Sequence, residues 1–238
     1  MSATPETAHG IRARARRELT AAIKAVAQRQ LAEGGAVALS LRAIARDLGM
    51  ASSAVYRYYA SRDELLTALV IDAYNDLGEA AEAALAAHAD AHPSVQWVAV
   101  CRAVRSWALA HPHAYALIYG TPVPGYRAPV DTIAPASRVG LALASVVAEA
   151  DRSGLITVAV WPVVEPVGMD ADRLADALGL DLPRAVVIAM VAAWAQLFGL
   201  VSFELFGQFE NVVTARDDFF DRAAEQLARS VGLPAASP

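Results

Sequence analysis

The chain has 238 residues, 56% apolar and 19% charged, a composition that fills a core and excludes wholesale disorder. Cys101 is its single cysteine, which excludes an internal disulfide and a Cys-rich zinc centre and suits a reducing cytoplasm. The net charge of −5 conceals an asymmetry: residues 1–65 hold 10 Lys and Arg against 6 Asp and Glu, leaving 10 basic and 19 acidic residues beyond them.

A basic N-terminal third on an acidic body is the layout of a protein that meets a polyanion at one end. The opening MSATPETAHG is polar and lacks the apolar segment of a secretion signal. No apolar run is expected to reach the roughly 20 residues of a membrane span. The expected setting is therefore the cytoplasm, without a membrane partner.

In chain order, nearly every segment reads as helix, so the expected fold is all-α. Residues 1–10 form a flexible N-terminus. Leu19, Ile23, Ala27 and Leu31 recur at i+4 and mark the buried face of a first helix over 11–33, which Gly34 and Gly35 end. Ser40 caps a second helix from Leu41. Ser61 with Glu64 three residues on is a capping box for a helix that continues to about His88. ADAHPS (89–94) is a linker. Further helices are expected over 95–111, 113–120, 131–153, 170–180, 183–208 and 212–231. The proline- and glycine-rich segment 119–131 must be a loop, and Pro162 and Pro166 make 155–168 an irregular or short helical connection rather than a strand. The division is thus a three-helix domain over 11–66, a connecting helix over 67–88 and a second helical domain over 89–238.

Residues 41–59 have the logic of a helix-turn-helix. Ala45 is small where a second helix crosses, Gly49 turns the chain at positive φ, and Met50 plugs the gap. Ile44 and Leu48 share one face of the first short helix, and Val55 with Tyr58 and Tyr59 one face of the second. Ser52, Ser53, Ala54, Tyr56 and Arg57 then face outward. Small residues let such a helix sit deep in a major groove, where Arg57 reaches a guanine edge or a phosphate. Tyr56, Tyr58 and Arg62 reach phosphates, as does the Ser40-capped start of the second helix, and Arg42 is a further DNA-binding residue.

Residues 23–66 resemble the DNA-binding domain of the tetracycline-repressor (TetR) family. The match lies in a glycine after helix one, a Ser before helix two, IA..LG, an apolar-Tyr pair and a basic residue ahead of an acidic-Leu helix. Ser53 stands where many members carry Gly or Pro, and Arg62 replaces the usual Lys. The resemblance implies an all-helical homodimer joined through its last two helices, here about 183–231, with a small-molecule site in the C-terminal domain. Carried over by position, it places Ser52, Ser53, Ala54 and Arg57 on bases, and Ser40, Tyr56, Tyr58 and Arg62 on phosphates. Trp107, His111 and Gly120 resemble a Trp-His-Gly (WHG) C-terminal subtype.

No nucleophile elbow, phosphate-binding glycine loop or H-E-x-x-H occurs, so no enzyme, cofactor or metal is expected. His88 and His92, and His111 and His113, lack companion ligands at matching spacing, and His111-Pro112 ends a helix. Expected effector contacts are Trp107, His111, Tyr115, Tyr119, Trp161, Trp194, Gln196 and Phe198, lining a mainly apolar site. The leading reading is a ligand-responsive regulator of double-stranded DNA, acting as a repressor released from a pseudo-palindromic operator. The competing readings are a helical enzyme or carrier with an incidental basic N-terminus, and a DNA-binding scaffold with no effector.

Overall fold

A computed structural model describes residues 8–157 and 163–236 of the protein. The described residues form α-helices and short 3-10 turns: α1 (Ala8–Gly34), α2 (Leu41–Asp47), α3 (Ser52–Val55), α4 (Arg62–Ala87), α5 (Pro93–Ala110), α6 (Pro112–Tyr119), α7 (Ile133–Arg152), α8 (Glu165–Leu178), α9 (Arg184–Leu205) and α10 (Arg216–Ser230). They divide into two compact units. The first holds the residues up to Ala73 together with His113–Thr132; the second holds Tyr74–Pro112 and Ile133 onward.

The division departs from the linear one read from the sequence, because residues 113–132 return to the N-terminal unit. Leu117, Val123 and Tyr126 pack against its apolar cluster, and the Tyr126 hydroxyl lies 2.9 Å from Thr67 Oγ1. That cluster gathers Ile23, Val26, Ala27 and Leu31 of α1, Leu41, Ile44 and Ala45 of α2, Val55 of α3, and Leu65, Leu66 and Leu69 of α4. Lys24 and Asp72 pair at 2.6 Å and tie α1 to α4.

In the second unit α5 packs against α7, α9 and α10, and α8 against α9. Arg105 of α5 holds Glu204 of α9 through two bonds of 2.6 and 2.7 Å and Asp217 of α10 at 2.7 Å, with its guanidinium 5.1 Å from the Phe220 ring centroid. Glu204 is nearly out of solvent, so this arginine is the group that makes its charge tolerable there. Arg138 of α7 lies across α4 at Gly78, where a Cβ would come within 2.6 Å of the Arg138 Cβ. From there its guanidinium bonds the Asn75 carbonyl at 2.8 Å and Glu82 at 2.6 and 2.8 Å. The hydrogen bond from Arg138 holds the Glu82 carboxyl below its ordinary pKa.

Four helices start earlier than the sequence suggests: α1 already at Ala8, within the segment expected to be a flexible N-terminus, and three with proline in the first turn, Pro93 in α5, Pro112 in α6 and Pro166 in α8. A proline there forfeits an N–H that has no intrahelical acceptor anyway, so these prolines begin helices.

The expectation that no stretch is long and apolar enough for a membrane also needs correction. By length and composition alone, Val130–Arg152 and Arg184–Leu205 both qualify. In each, 39% of the most apolar window is buried inside the chain. Val139, Leu143, Val146 and Val147 of α7 are buried, as are Val186, Val187, Ala193, Leu197 and Val201 of α9. A helix packed on more than one side is apolar around most of its circumference. Val191, Trp194 and Phe203 of α9 nevertheless stay exposed.

Candidate nucleic-acid interface

Local chemistry sets the start of each helix around the candidate interface. Ser40 adopts extended backbone and its Oγ accepts from the Ala43 N–H at 3.3 Å, capping α2. Its own N–H donates to Gln30 Oε1 of α1 at 3.0 Å, so α1 fixes where α2 begins. At α4, Ser61 Oγ accepts from the Glu64 N–H at 3.1 Å, while the Glu64 carboxylate accepts from Ala60 N–H at 2.6 Å. The reciprocal half of this capping box falls one residue before Ser61 rather than on it.

Between α2 and α3, Gly49 sits at φ 65°, a conformation a Cβ disfavours by about 1 kcal/mol. The Met50 N–H then donates to the Ala45 carbonyl at 2.8 Å, and half-buried Met50 leads into α3. Val55 is wholly buried and Tyr59, one turn on, nearly so. Tyr59 N–H donates to the Val55 carbonyl at 3.1 Å, so the chain keeps a helical course past the four residues of α3. Burial, reinforced by Asp72 and Glu64, pushes the Tyr59 phenol above its ordinary pKa.

Anchoring Val55 and Tyr59 inward turns the residues around them outward. Ser52, Ser53, Tyr56 and Arg57 are exposed and Ala54 is half-buried. The Arg57 N–H donates to the Ala54 carbonyl at 3.3 Å, while its guanidinium makes no hydrogen bond or ion pair among the described residues, and Arg42 of α2 is likewise exposed. Tyr58 is half-buried beneath the Arg16 guanidinium of α1, 5.3 Å from its ring centroid. Arg62 donates through Nη2 to the Ala36 carbonyl at 2.6 Å and lies 3.5 Å from Asp63. Part of its donor fork therefore braces the turn between α1 and α2.

Comparison with known proteins fits this geometry. The family model described as bacterial regulatory proteins, tetR family, matches residues 23–69, the helix-turn-helix with its flanking helices. A second, described as tetracyclin repressor-like, C-terminal domain, matches residues 97–227.

The chain belongs to the TetR family.

It is 42% identical over 201 residues to the HTH-type transcriptional regulator Rv1816 of Mycobacterium tuberculosis, covering 84% of this chain and 86% of that one. A regulator from Mycobacterium bovis, Mb1846, matches equally. Among solved structures, the regulatory protein SCO4313 superposes with a TM-score of 0.75 at 33% identity, covering 90% of this chain and 97% of that one. The TetR regulator PfmR of Thermus thermophilus shares the fold at a TM-score of 0.55 and 19% identity, covering 90% of this chain and 99% of that one. The protein is thus a DNA-binding transcriptional regulator of the TetR family with an all-α fold.

The expected effector residues belong to both units. In the second unit, buried Trp107 lies 5.1 Å from the His111 ring, and His111 Nδ1 is 2.9 Å from the Trp107 carbonyl at the end of α5. Trp194 of α9 is exposed and meets the Phe198 ring edge-on at 5.6 Å, while the Gln196 amide donates back to the Ala192 carbonyl at 3.1 Å. In the first unit, wholly buried Tyr115 lies 5.2 Å from Tyr119. Gly120 follows, where a Cβ would clash with the Ala116 carbonyl oxygen. Trp161 lies outside the described residues.

His88 and His92 have local partners: His88 Nδ1 lies 2.8 Å from the Ala84 carbonyl, and His92 Nδ1 lies 2.8 Å from Ser94 Oγ at the start of α5. Cys101 is wholly buried, and desolvation pushes its thiol well above the usual range.

Sequence reasoning missed Gln30, Ala36 and Arg16, which position Ser40, Arg62 and Tyr58 in turn. No local pattern announces them, because each acts across at least ten residues of chain. The Arg62 bond has a measurable consequence. Arg62→Ala should lower stability by about 1 kcal/mol in urea unfolding without DNA, since a half-exposed charged donor to a carbonyl is lost. An unchanged midpoint would show that the Ala36 contact carries no stability.

Proposed function

We propose that the protein is a repressor that binds a pseudo-palindromic operator as a homodimer and releases it when a small, mainly apolar effector binds. The observation that carries the DNA half is the outward face of α3. Ser52, Ser53 and Arg57 stand clear of a back anchored by Val55 and Tyr59. Arg57 supplies base readout, most favourably at O6 and N7 of guanine. Ser52, Ser53 and Ala54 allow close approach, while Ser40, Arg42, Tyr56, Tyr58 and Arg62 hold the backbone. A protein acting on the chromosome in this way works in the cytoplasm.

The dimer reading draws on α9 and α10, within 183–231. Val191, Phe203, Phe206 and Phe219 are large apolar side chains left exposed on these two helices and the turn after α9. A second copy covering them under two-fold symmetry removes that surface from water. Half-sites about one helical turn apart then follow.

The effector reading draws on the second unit. Trp97 is buried, yet its indole N–H has no acceptor among the described residues. Leaving such a donor unmet costs about 1–3 kcal/mol, and a ligand oxygen supplies what the protein does not. An apolar effector with one acceptor atom fits, with Trp107 and Trp194 as further contacts. To release DNA it must bind the DNA-free arrangement better than the DNA-bound one, by about 1.4 kcal/mol for a tenfold effect. α4, whose residues fall in both units, is the route for that coupling.

The test is to select bound duplexes from a random pool and then screen metabolites for release. Arg57→Ala should cost about 1–3 kcal/mol of operator affinity and relax the preference at one base pair. Unchanged affinity and preference would make Arg57 a solvated surface residue. Sedimentation at micromolar concentration and low salt should give a dimer, and a monomer would contradict the symmetric reading. With an effector in hand, Trp97→Phe should raise the concentration needed for release about tenfold while sparing operator binding. An unchanged response would remove Trp97 from the site.

A further inference from the structure

The first half of α1 breaks the electrostatic rules of a helix. Arg12, Arg14, Arg16 and Arg17 crowd its early turns, the first turn has no acidic residue, and Glu18 is the single acid between Ala8 and Leu31. Cations there sit at the positive end of the macrodipole, where they are disfavoured. Arg12 and Arg16 are also a like-charge pair at i,i+4, which weakens the helix further. Arg12, Arg16 and Arg17 form no ion pair among the described residues. A solvated helix face ordinarily mixes signs. A violation of local preference on this scale is what a functional site leaves behind.

The position of this face is fixed. The Arg16 guanidinium lies over the Tyr58 ring at 5.3 Å, and Tyr58 follows directly on exposed Tyr56 and Arg57. Arg12 comes one turn earlier on nearly the same side, about 6 Å further along the axis. Arg16 therefore stands beside the segment after α3 that carries Arg57, and Arg12 continues this cationic face one turn towards the start of α1, within one compact unit.

We propose that the Arg12–Arg16 face of α1 is a second DNA-binding element, which engages backbone phosphates flanking the base pairs met by α3. The inference rests on the DNA-binding reading of this unit but not on the base contacts assigned to α3. Phosphate is the ligand, so the contact is indifferent to sequence and steepens the salt dependence of binding.

The test uses the full-length protein and the double variant Arg12→Gln/Arg16→Gln, with Arg29→Gln, an exposed arginine later in α1, as control. Helicity by circular dichroism verifies folding. Affinity is measured against salt on random-sequence duplexes, and on a selected operator with flush ends or with about six added base pairs on each side, enough to span the flanking phosphates. The double variant should lower the slope of log K against log salt by about two per protomer on long duplexes, as expected for two lost phosphate contacts. It should also lose the gain in affinity that the added flanks give the wild type, at unchanged base preference. Arg29→Gln should match the wild type. Equal slopes for wild type and double variant on flanked and random duplexes would overturn the proposal. Arg57→Ala separates the two readings: it should relax base preference yet leave the α1 slope difference intact. A wild type without base preference but with that difference would sink the α3 assignment and retain the α1 one.

Discussion

Burial of Val55 is the contact on which the DNA-facing geometry depends. α3 is four residues long, and a helix that short has no stability of its own in water. It exists because Val55 enters the cluster formed by Ile44, Ala45, Leu65 and Leu66, and because Tyr59 follows one turn later. Each fully buried aliphatic side chain contributes about 1.5–3 kcal/mol to that anchoring. With two points one turn apart fixed inward, the exposure of Ser52, Ser53, Tyr56 and Arg57 is a geometric result. The braces around the motif serve the same end: Gln30 on the Ser40 N–H, Arg62 on the Ala36 carbonyl and Arg16 on Tyr58 hold its surroundings to α1.

In the second unit, ionic contacts do the corresponding work between long apolar helices. Such helices slide easily, because their surfaces are uniform. Arg105 joins α5 to α9 and α10, Arg102 pairs with Asp221 at 2.6 Å, and Arg138 crosses α4 at Gly78. Only the Arg105–Glu204 pair is largely buried, and there losing one partner is costly; the Arg102 and Arg138 pairs are open to solvent and add little stability. Their value here is to fix register. The Arg138 clasp matters most, since it grips α4 a few residues beyond the point where that helix leaves the DNA-binding unit.

What the sequence made legible was local. The Ser40 cap, the Ser61–Glu64 pair and positive φ at Gly49 rest on contacts within four or five residues, and the one-turn spacing of Val55 and Tyr59 marks a shared inward face. What it left hidden was distant. Tyr126 meets Thr67 across 59 residues and Arg62 meets Ala36 across 26, and neither partner has a pattern that names the other. The return of 113–132 to the first unit was invisible for the same reason. Prolines 93 and 166 hid helix starts in another way, because a residue that stops helices also starts them. The length of α9 was legible and its partner surface was not, since an apolar circumference gives no direction.

The orientation of α3 towards DNA is the central claim, and a cross-linking map tests it most directly. Cys101 is buried with its thiolate strongly disfavoured, so a cysteine placed on the surface is the one that takes a label. Ser53→Cys carrying an azidophenacyl group, bound to a selected operator and irradiated, should cross-link to bases in the major groove of each half-site. Ser106→Cys on α5, equally exposed, should give none. Cross-links absent from Ser53→Cys, or equal from both positions, would show that α3 does not enter the groove.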